Sequence, residues 1–144
     1  MRKVVVDTSV VLKWILKEPD SDKALALLTH WSNEQVEMLA PALLAYEAAN
    51  ILYQDVRKGK YTIEIARKSL RDVVMTGIVF DFSADLALSM HAVEFAHRFS
   101  LPASYDSHFL ALAEREECEL WTADSRLKRA IKGQLDWIHT LDDY

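Results

Sequence analysis

Short apolar runs rich in β-branched residues alternate with longer amphipathic segments, and this alternation constrains the fold more than any other feature of the chain. The strand-like runs are KVVVD, VEML, IVFDF, ELWTAD and DWIHTL, at residues 3–7, 36–39, 78–82, 119–124 and 136–141. The segments between them carry apolar residues at helical spacing. Strands and helices that alternate in this way predict an α/β domain with a largely parallel sheet.

Helices are predicted between these strands. Their ranges are 9–16, 21–31, 42–58, 62–76, 83–99, 103–116 and 125–132. Ser21 and Thr62 are expected to cap two of them, and Pro41 fits the first turn of the helix that follows it. A parallel sheet binds ligands beyond the carboxyl ends of its strands, so the residues that end these strands are the first candidates for function.

Composition and charge narrow the class of protein. A length of 144 residues fits one domain over residues 1–144. No apolar stretch approaches the roughly 18 to 20 residues that span a bilayer, and the run Val4–Val6 is too short for a secretory signal. The single cysteine, Cys118, excludes an internal disulfide and a four-thiolate zinc site, so we expect a reducing, cytoplasmic setting. A net charge of −5 argues against binding nucleic acid by bulk attraction alone.

Four carboxylates occupy positions that a solvated charge usually avoids. Asp7 follows three valines at the end of the first predicted strand, and Asp124 follows LWTA at the end of the fourth. Taken singly, each is explained as the N-cap of the next helix. Glu47 and Asp106 interrupt apolar helix stripes. Each also has an ordinary explanation, as a side chain at the edge of its stripe and as a first-turn acid favoured by the helix dipole.

The four positions together favour a shared site. Two acids at strand ends and two on apolar helix faces can converge on one rim of the sheet. Like charges about 4 Å apart repel by roughly 4 kcal/mol at an effective dielectric near 20, so such a cluster requires protons or a cation. Carboxylate ligands without a Cys or His cluster suit Mg²⁺ or Mn²⁺ rather than zinc.

Four segments resemble, in order, the motifs of the PIN-domain family. They are VVVDTSVVLKWILKEP, APALLAYEAANIL, ASYDSHFLALAE and LWTADSRL, and together they extend over nearly the whole chain. The resemblance is greatest to the VapC-type toxin ribonucleases of prokaryotic toxin–antitoxin pairs. It implies a three-layer α/β/α domain whose mainly parallel central sheet has four to five strands.

The resemblance also implies the site residues and the chemistry. The acidic quartet would be Asp7, Glu47, Asp106 and Asp124, with polar support from Thr8, Ser9, Asn50 and Thr122. The expected activity is metal-dependent hydrolysis of RNA phosphodiester bonds. Asp7 and Asp106 would chiefly bind Mg²⁺, with Mn²⁺ as a substitute and Asp124 assisting. Glu47, the fourth residue of the metal site, would hold a metal-bound water or help to remove its proton.

The partners implied are RNA, a second copy of the chain and a cognate antitoxin. Lys13, Arg126 and Lys128 are candidates to bind RNA phosphates, whereas the nearby Arg129 and Lys132 are equally explained as part of a solvated helix face. The antitoxin would insert a segment into the acidic groove. The chain carries no DNA-binding motif of its own, so operator binding is assigned to that partner. Trp14 and Trp31, at helical spacing with leucines, are expected in the core or in a dimer contact.

Two other classes of protein remain open from the sequence. A phosphotransfer protein also places acids at strand ends, but Asp7 is followed by Thr8 and Ser9 rather than by the second acid of an Asp-x-Asp phosphatase. A receiver domain needs adjacent acids there and a lysine at a late strand end, which DWIHTL lacks. The second alternative is a PIN-like module that binds a partner and cleaves nothing; the complete quartet weighs against it.

Overall fold

A five-stranded sheet in which every strand pair is parallel forms the centre of the computed structural model, which describes residues 1–83 and 86–144. The strands are β1 Lys3–Val6, β2 Glu37–Pro41, β3 Val79–Asp81, β4 Glu119–Thr122 and β5 Ile138–Thr140. Their order across the sheet is β3-β2-β1-β4-β5. The predicted α/β class and the upper strand number are therefore confirmed.

Helices cover the sheet on both sides. They are α1 Thr8–Ile15, α2 Ser21–Asn33, α3 Leu43–Arg57, α4 Ile63–Met75, α5 Leu86–Arg98, α6 Tyr105–Arg115 and α7 Ser125–Ile131, and a short 3₁₀ helix follows at Leu141–Asp143. α6 packs on β1, β2 and β4, and α5 packs against α6. α1 packs on β4 and contacts α2, α3 and α4. The result is the predicted three-layer arrangement.

The valines of the central strand β1 are buried completely. Val4, Val5 and Val6 have no exposed surface, which explains why this strand is a continuous apolar run rather than an alternating one. Trp14 and Trp31 lie in the core, edge to face with their ring centroids 6.3 Å apart. The prediction that these tryptophans are core residues is confirmed. No helix in the described part of the chain is long and apolar enough to cross a membrane.

Several local predictions differ from the structure. Pro41 is the last residue of β2 and not part of a helix; at a strand end a proline interrupts the hydrogen-bonded ladder least. Ser21 does not cap α2, because its hydroxyl donates to the Leu16 carbonyl and closes the turn after α1. Thr62 caps α4 as predicted, accepting a bond from the Ile65 N–H. The predicted start of the helix 83–99 includes residues 84 and 85, which lie outside the described residues.

Candidate active site

Two of the four acids end neighbouring strands of the sheet. β1 and β4 pair in parallel, so Asp7 and Asp124, which follow them, lie at the same sheet edge. Both also act as N-caps: the Asp7 carboxylate accepts a bond from the Thr8 N–H, and the Asp124 carboxylate accepts one from the Arg126 N–H. The simple capping explanation is thus correct for both, and the strand order still brings these caps to one edge.

Asp7 is buried, and both of its carboxylate oxygens accept hydrogen bonds. It is only 5% exposed. Oδ1 accepts the Thr8 N–H at 2.8 Å, while Oδ2 accepts the Ser9 hydroxyl at 2.8 Å and the Thr122 hydroxyl at 2.7 Å. The two hydroxyls accept bonds from backbone N–H groups of Ala123 and Asp124, which orients them toward Asp7. Asp7 is therefore held in one position by both strand ends.

The environment raises the pKa of Asp7 to about 6. Burial is the main cause, because the charged carboxylate loses its hydration. The bonds from Thr122 and Ser9 favour the charged form and offset part of this effect. The negative charges of Asp106 and Glu47 raise the pKa further. Three of the four acids are therefore close enough to influence one another.

Glu47 extends from α3 toward the same edge. Its Oε1 accepts the Thr8 hydroxyl at 2.8 Å, while the backbone N–H of Thr8 donates to Asp7, so Thr8 holds two different acids. Burial raises the pKa of Glu47, the charge of Asp106 raises it further, and the bond from Thr8 lowers it. Asn50 does not hold Glu47 in the described structure; its side chain bonds Gln54 instead.

Asp106 lies in the first turn of α6 and is half-buried. Burial raises its pKa, the negative charge of Asp124 raises it further, and the positive charge of Arg126 lowers it. Within residues 1–83 and 86–144 its carboxylate has no hydrogen-bond donor, unlike Asp7, Glu47 and Asp124. Asp106 is consequently the least compensated member of the group.

Three of the acids line one cavity. Glu47, Asp106 and Asp124 open into a volume of about 260 Å³, which we call the acid cavity. The loop 101–103 and the α7 residues Arg126 and Leu127 complete its walls. Asp7 is not part of the lining, but its charge interacts with those of Glu47 and Asp106, which places it next to the lining acids.

The four acids have the ligand chemistry that a hard divalent cation requires, but their side chains are not arranged around one ion position. All four groups are carboxylates, the ligands that Mg²⁺ and Mn²⁺ prefer. The negative charges repel one another, and the raised pKa values of Asp7, Glu47 and Asp106 show that these three sites favour a bound proton or cation. In the described part of the chain, however, no three Asp, Glu, His or Cys side chains are gathered as ligands of one ion. Asp124 instead contacts Arg126, at 3.2 Å between Oδ1 and Nε.

The structure separates the predicted RNA-binding residues. Arg126 lines the acid cavity and is 83% exposed at its side chain. Lys13 and Arg126 both line an adjoining cavity, the lysine cavity, which also includes Glu18. Lys128 instead forms an ion pair with Asp143, at 2.7 Å between Nζ and Oδ2. Lys13 and Arg126 are thus near the acids, and the charge of Lys128 is neutralised elsewhere.

Two tyrosines beside the acids escaped the sequence reasoning. Tyr46 precedes Glu47 on α3, and Tyr105 precedes Asp106 on α6. Both are largely exposed and line a second cavity, the tyrosine cavity, of about 380 Å³. The signal was an aromatic residue directly before an acid in two separate motifs.

Comparisons with known proteins agree with this architecture. A model of the PIN domain matches residues 4–133. The fold is similar to that of VapBC2 from Rickettsia felis bound to a promoter DNA fragment, with a TM-score of 0.66, 15% identity and 96% of each chain covered. It is similar to PAE2754 from Pyrobaculum aerophilum, with a TM-score of 0.66, 22% identity, and 99% and 85% of the two chains covered.

A third solved structure has the same fold. It is a toxin–antitoxin complex from Klebsiella pneumoniae, with a TM-score of 0.61, 16% identity, and 96% of this chain and 97% of that chain covered. At these identities the likeness concerns the fold. No curated protein sequence matches the chain significantly.

Proposed function

Because this chain belongs to the PIN domain family, we propose that it is a metal-dependent endoribonuclease that hydrolyses RNA phosphodiester bonds. The observation that carries the proposal is the acid cavity, in which Glu47, Asp106 and Asp124 meet beside the buried Asp7. A cluster of carboxylates of this kind is costly in a folded protein unless protons or a cation neutralise part of its charge.

The quartet would bind Mg²⁺, or Mn²⁺ in its place. Asp106 is the foremost candidate ligand because no donor within the described ranges occupies its oxygens. To bind the cation, Asp124 would have to give up its contact with Arg126. Both oxygens of Asp7 already accept hydrogen bonds within the protein. A bound divalent ion supplies Lewis-acid polarisation of the phosphate and activation of water.

The chain's own residues have separate tasks in this reaction. Glu47 is suited to accept a proton from the attacking water, because its raised pKa brings it nearer to neutrality and Thr8 fixes its orientation. Thr122 and Ser9 keep Asp7 immobile. Arg126 and Lys13 would bind phosphates on either side of the one that reacts, since both line cavities next to the acids.

We further propose that the protein is the toxin of a VapBC-type pair. Two of the solved structures with a similar fold are VapBC2 from Rickettsia felis and a toxin–antitoxin complex from Klebsiella pneumoniae. A cognate antitoxin that inserts a basic segment would neutralise the acid cavity in the cation's place. A homodimer is proposed on α5, where Leu86, Met90 and Val93 form an exposed apolar stripe at spacings of four and three residues.

One observation favours a second candidate, a PIN-like module that binds a partner without catalysis. The described acids are not gathered as ligands, and Asp124 is engaged by Arg126 and by its own helix. The phosphotransfer alternative has weaker support. Asp7, its candidate phosphoryl acceptor, is 5% exposed, and both of its oxygens accept hydrogen bonds, which hinders attack on a phosphoryl group.

The test is RNA cleavage by the purified protein on structured and unstructured RNAs, in Mg²⁺, Mn²⁺ or EDTA. We expect cleavage in either metal, none in EDTA, and a loss of about 10²-fold or more in Asp7→Asn and Asp106→Asn. Asp72→Asn is the control, because Asp72 pairs with Lys68 on the remote helix α4. Cleavage that persists in EDTA or in both variants contradicts the proposal.

A further inference from the structure

The tyrosine cavity adjoins the acids and has aromatic walls. Tyr46 and Tyr105 are 69% and 61% exposed, although large aromatic side chains are usually buried. They come from different helices, α3 and α6, yet line the same cavity. Trp14 and Trp31, by contrast, are buried in the core. The tyrosines are therefore the aromatic faces available beside the acids.

The cavity is continuous with the surface on which the phosphate would react. Glu47 and Tyr105 line both the tyrosine cavity and the acid cavity. Ile51 lines both the tyrosine cavity and the lysine cavity, which contains Lys13 and Arg126. Aromatic, acidic and basic surfaces thus follow one another without interruption. A polynucleotide has the same sequence of groups, with a flat base attached to each charged phosphate.

We propose that Tyr46 and Tyr105 stack one unpaired RNA base in the tyrosine cavity, next to the scissile phosphate; this rests on the function proposed above. Every base presents a π face to an aromatic ring, whereas the bases of a duplex are stacked on one another and cannot enter. Asn50 in the cavity wall has an amide that can bond a base edge. Leu43 and Ile51 provide the apolar surface against which a base loses water.

The chain offers a matched control. Tyr53 is also exposed, at 56%, and lies two turns after Tyr46 on α3, but it does not line the tyrosine cavity. Tyr53→Ala removes the same side chain from the same helix. Tyr46→Phe and Tyr105→Phe keep the ring and remove only the hydroxyl, so they separate stacking from hydrogen bonding.

The experiment measures RNA binding without cleavage. The tyrosine changes are introduced into Asp124→Asn, EDTA is present, and affinity for a 2-aminopurine-labelled single strand and for a hairpin duplex is measured by fluorescence. We expect Tyr46→Ala and Tyr105→Ala to weaken single-strand binding between roughly 5-fold and 150-fold each, as for loss of a stacked base. The phenylalanine variants and Tyr53→Ala should bind as the parent does, and hairpin binding should not change.

Two results overturn the proposal. One is equal single-strand affinity in both alanine variants and the parent, whether or not their oligomeric state changes; the other is no RNA binding by the parent. The outcome is independent of the cleavage test. A protein that cleaves RNA but is indifferent to both alanine changes refutes the stacking site alone, and one that loses binding but never cleaves refutes the nuclease alone.

Discussion

Thr122 Oγ1 donates a 2.7 Å hydrogen bond to Oδ2 of Asp7 and so joins residues 115 positions apart in the chain. The bond connects the carboxyl ends of β4 and β1, which are neighbours in the sheet. Thr122 is fully buried, and its oxygen also accepts the Asp124 N–H. One hydroxyl therefore fixes two of the four acids relative to each other.

Thr122→Val should destabilise the protein by about 1 to 3 kcal/mol. Valine has nearly the same shape, so the main loss is the hydrogen bond to a buried carboxylate and the acceptor for the Asp124 N–H. Because this bond lowers the pKa of Asp7, its loss should also raise that pKa. Urea unfolding at pH 7 measures the first effect. Thr122→Ser retains the hydroxyl and should behave like the parent; equal loss in both variants contradicts the explanation.

Stability should fall as the pH rises from about 4 to about 6. The pKa of Asp7 is about 6 in the folded protein, against the ordinary value of 3.8 that applies to the unfolded chain. Between these two pH values the folded state therefore binds more protons than the unfolded state. The free-energy cost of ionising Asp7 in the folded protein is absent below the lower pKa and complete above the higher one. Since one pKa unit corresponds to about 1.4 kcal/mol, it amounts to roughly 3 kcal/mol. The unfolding free energy of Asp7→Asn, measured across this pH range, should lack this contribution. If it changes with pH as steeply as that of the parent protein, the explanation is refuted.

A divalent cation should stabilise the folded protein at pH 7. An ion that binds only the folded state adds about 2.7 kcal/mol at 100 times its dissociation constant. Mn²⁺ should therefore raise the melting temperature of the parent, and Asp106→Asn should lose most of the increase. Differential scanning fluorimetry in Mn²⁺ and in EDTA makes the comparison, with Asp72→Asn as control. Equal increases in the parent and in Asp106→Asn would place the cation elsewhere.

Lys13→Ala should weaken RNA binding more than Lys128→Ala. Lys13 lines the lysine cavity together with Asp124 and donates to the neutral Pro19 carbonyl, which leaves its charge available. Lys128 is instead paired with Asp143. Loss of one phosphate contact to a single strand lowers the slope of log affinity against log salt by about 0.7. Binding titrations at several salt concentrations give the slopes. The order of the two variants is the test, and the reverse order would assign the phosphate contact to Lys128.

Met90→Asp should dissociate the proposed homodimer. Met90 is 67% exposed at the centre of the apolar stripe on α5, and a charge there has to be desolvated in any interface. Light scattering after size exclusion should give a dimer mass for the parent and a monomer mass for the variant. Ile63→Asp, an exposed position at the start of α4, is the control. A parent that is monomeric at micromolar concentration refutes the dimer.

The sequence pattern predicted correctly which segments are strands and which are helices. It predicted less well the residues at which they begin and end. Alternating β-branched and amphipathic segments led to five parallel strands, because strand propensity and helical periodicity are local properties. Pro41 and Ser21 were misassigned because each is satisfied by contacts outside its own element: Pro41 ends a strand paired with β3, and Ser21 bonds back to the end of α1. Such contacts depend on the tertiary structure and leave no periodic signal.

The site was partly predictable for the same reason. An acid that interrupts an apolar stripe is visible in a sequence, as Glu47 and Asp106 were. The burial of Asp7 behind the cavity, the contact of Arg126 with Asp124 and the shared cavity of Tyr46 and Tyr105 depend on which helices face each other. These relations can be inferred only when the order of the strands in the sheet is known.

The position of β4 has a consequence for synthesis. β1 at the centre of the sheet receives one neighbour early and the other, β4, only from residue 119 onward. A nascent chain that has emerged to residue 115 already carries Asp7, Glu47 and Asp106, but it lacks the hydroxyl and the backbone groups that hold the first of them. The acid cavity therefore cannot form while the first hundred residues are being translated, and it is complete only after β4 has been made and has paired with β1.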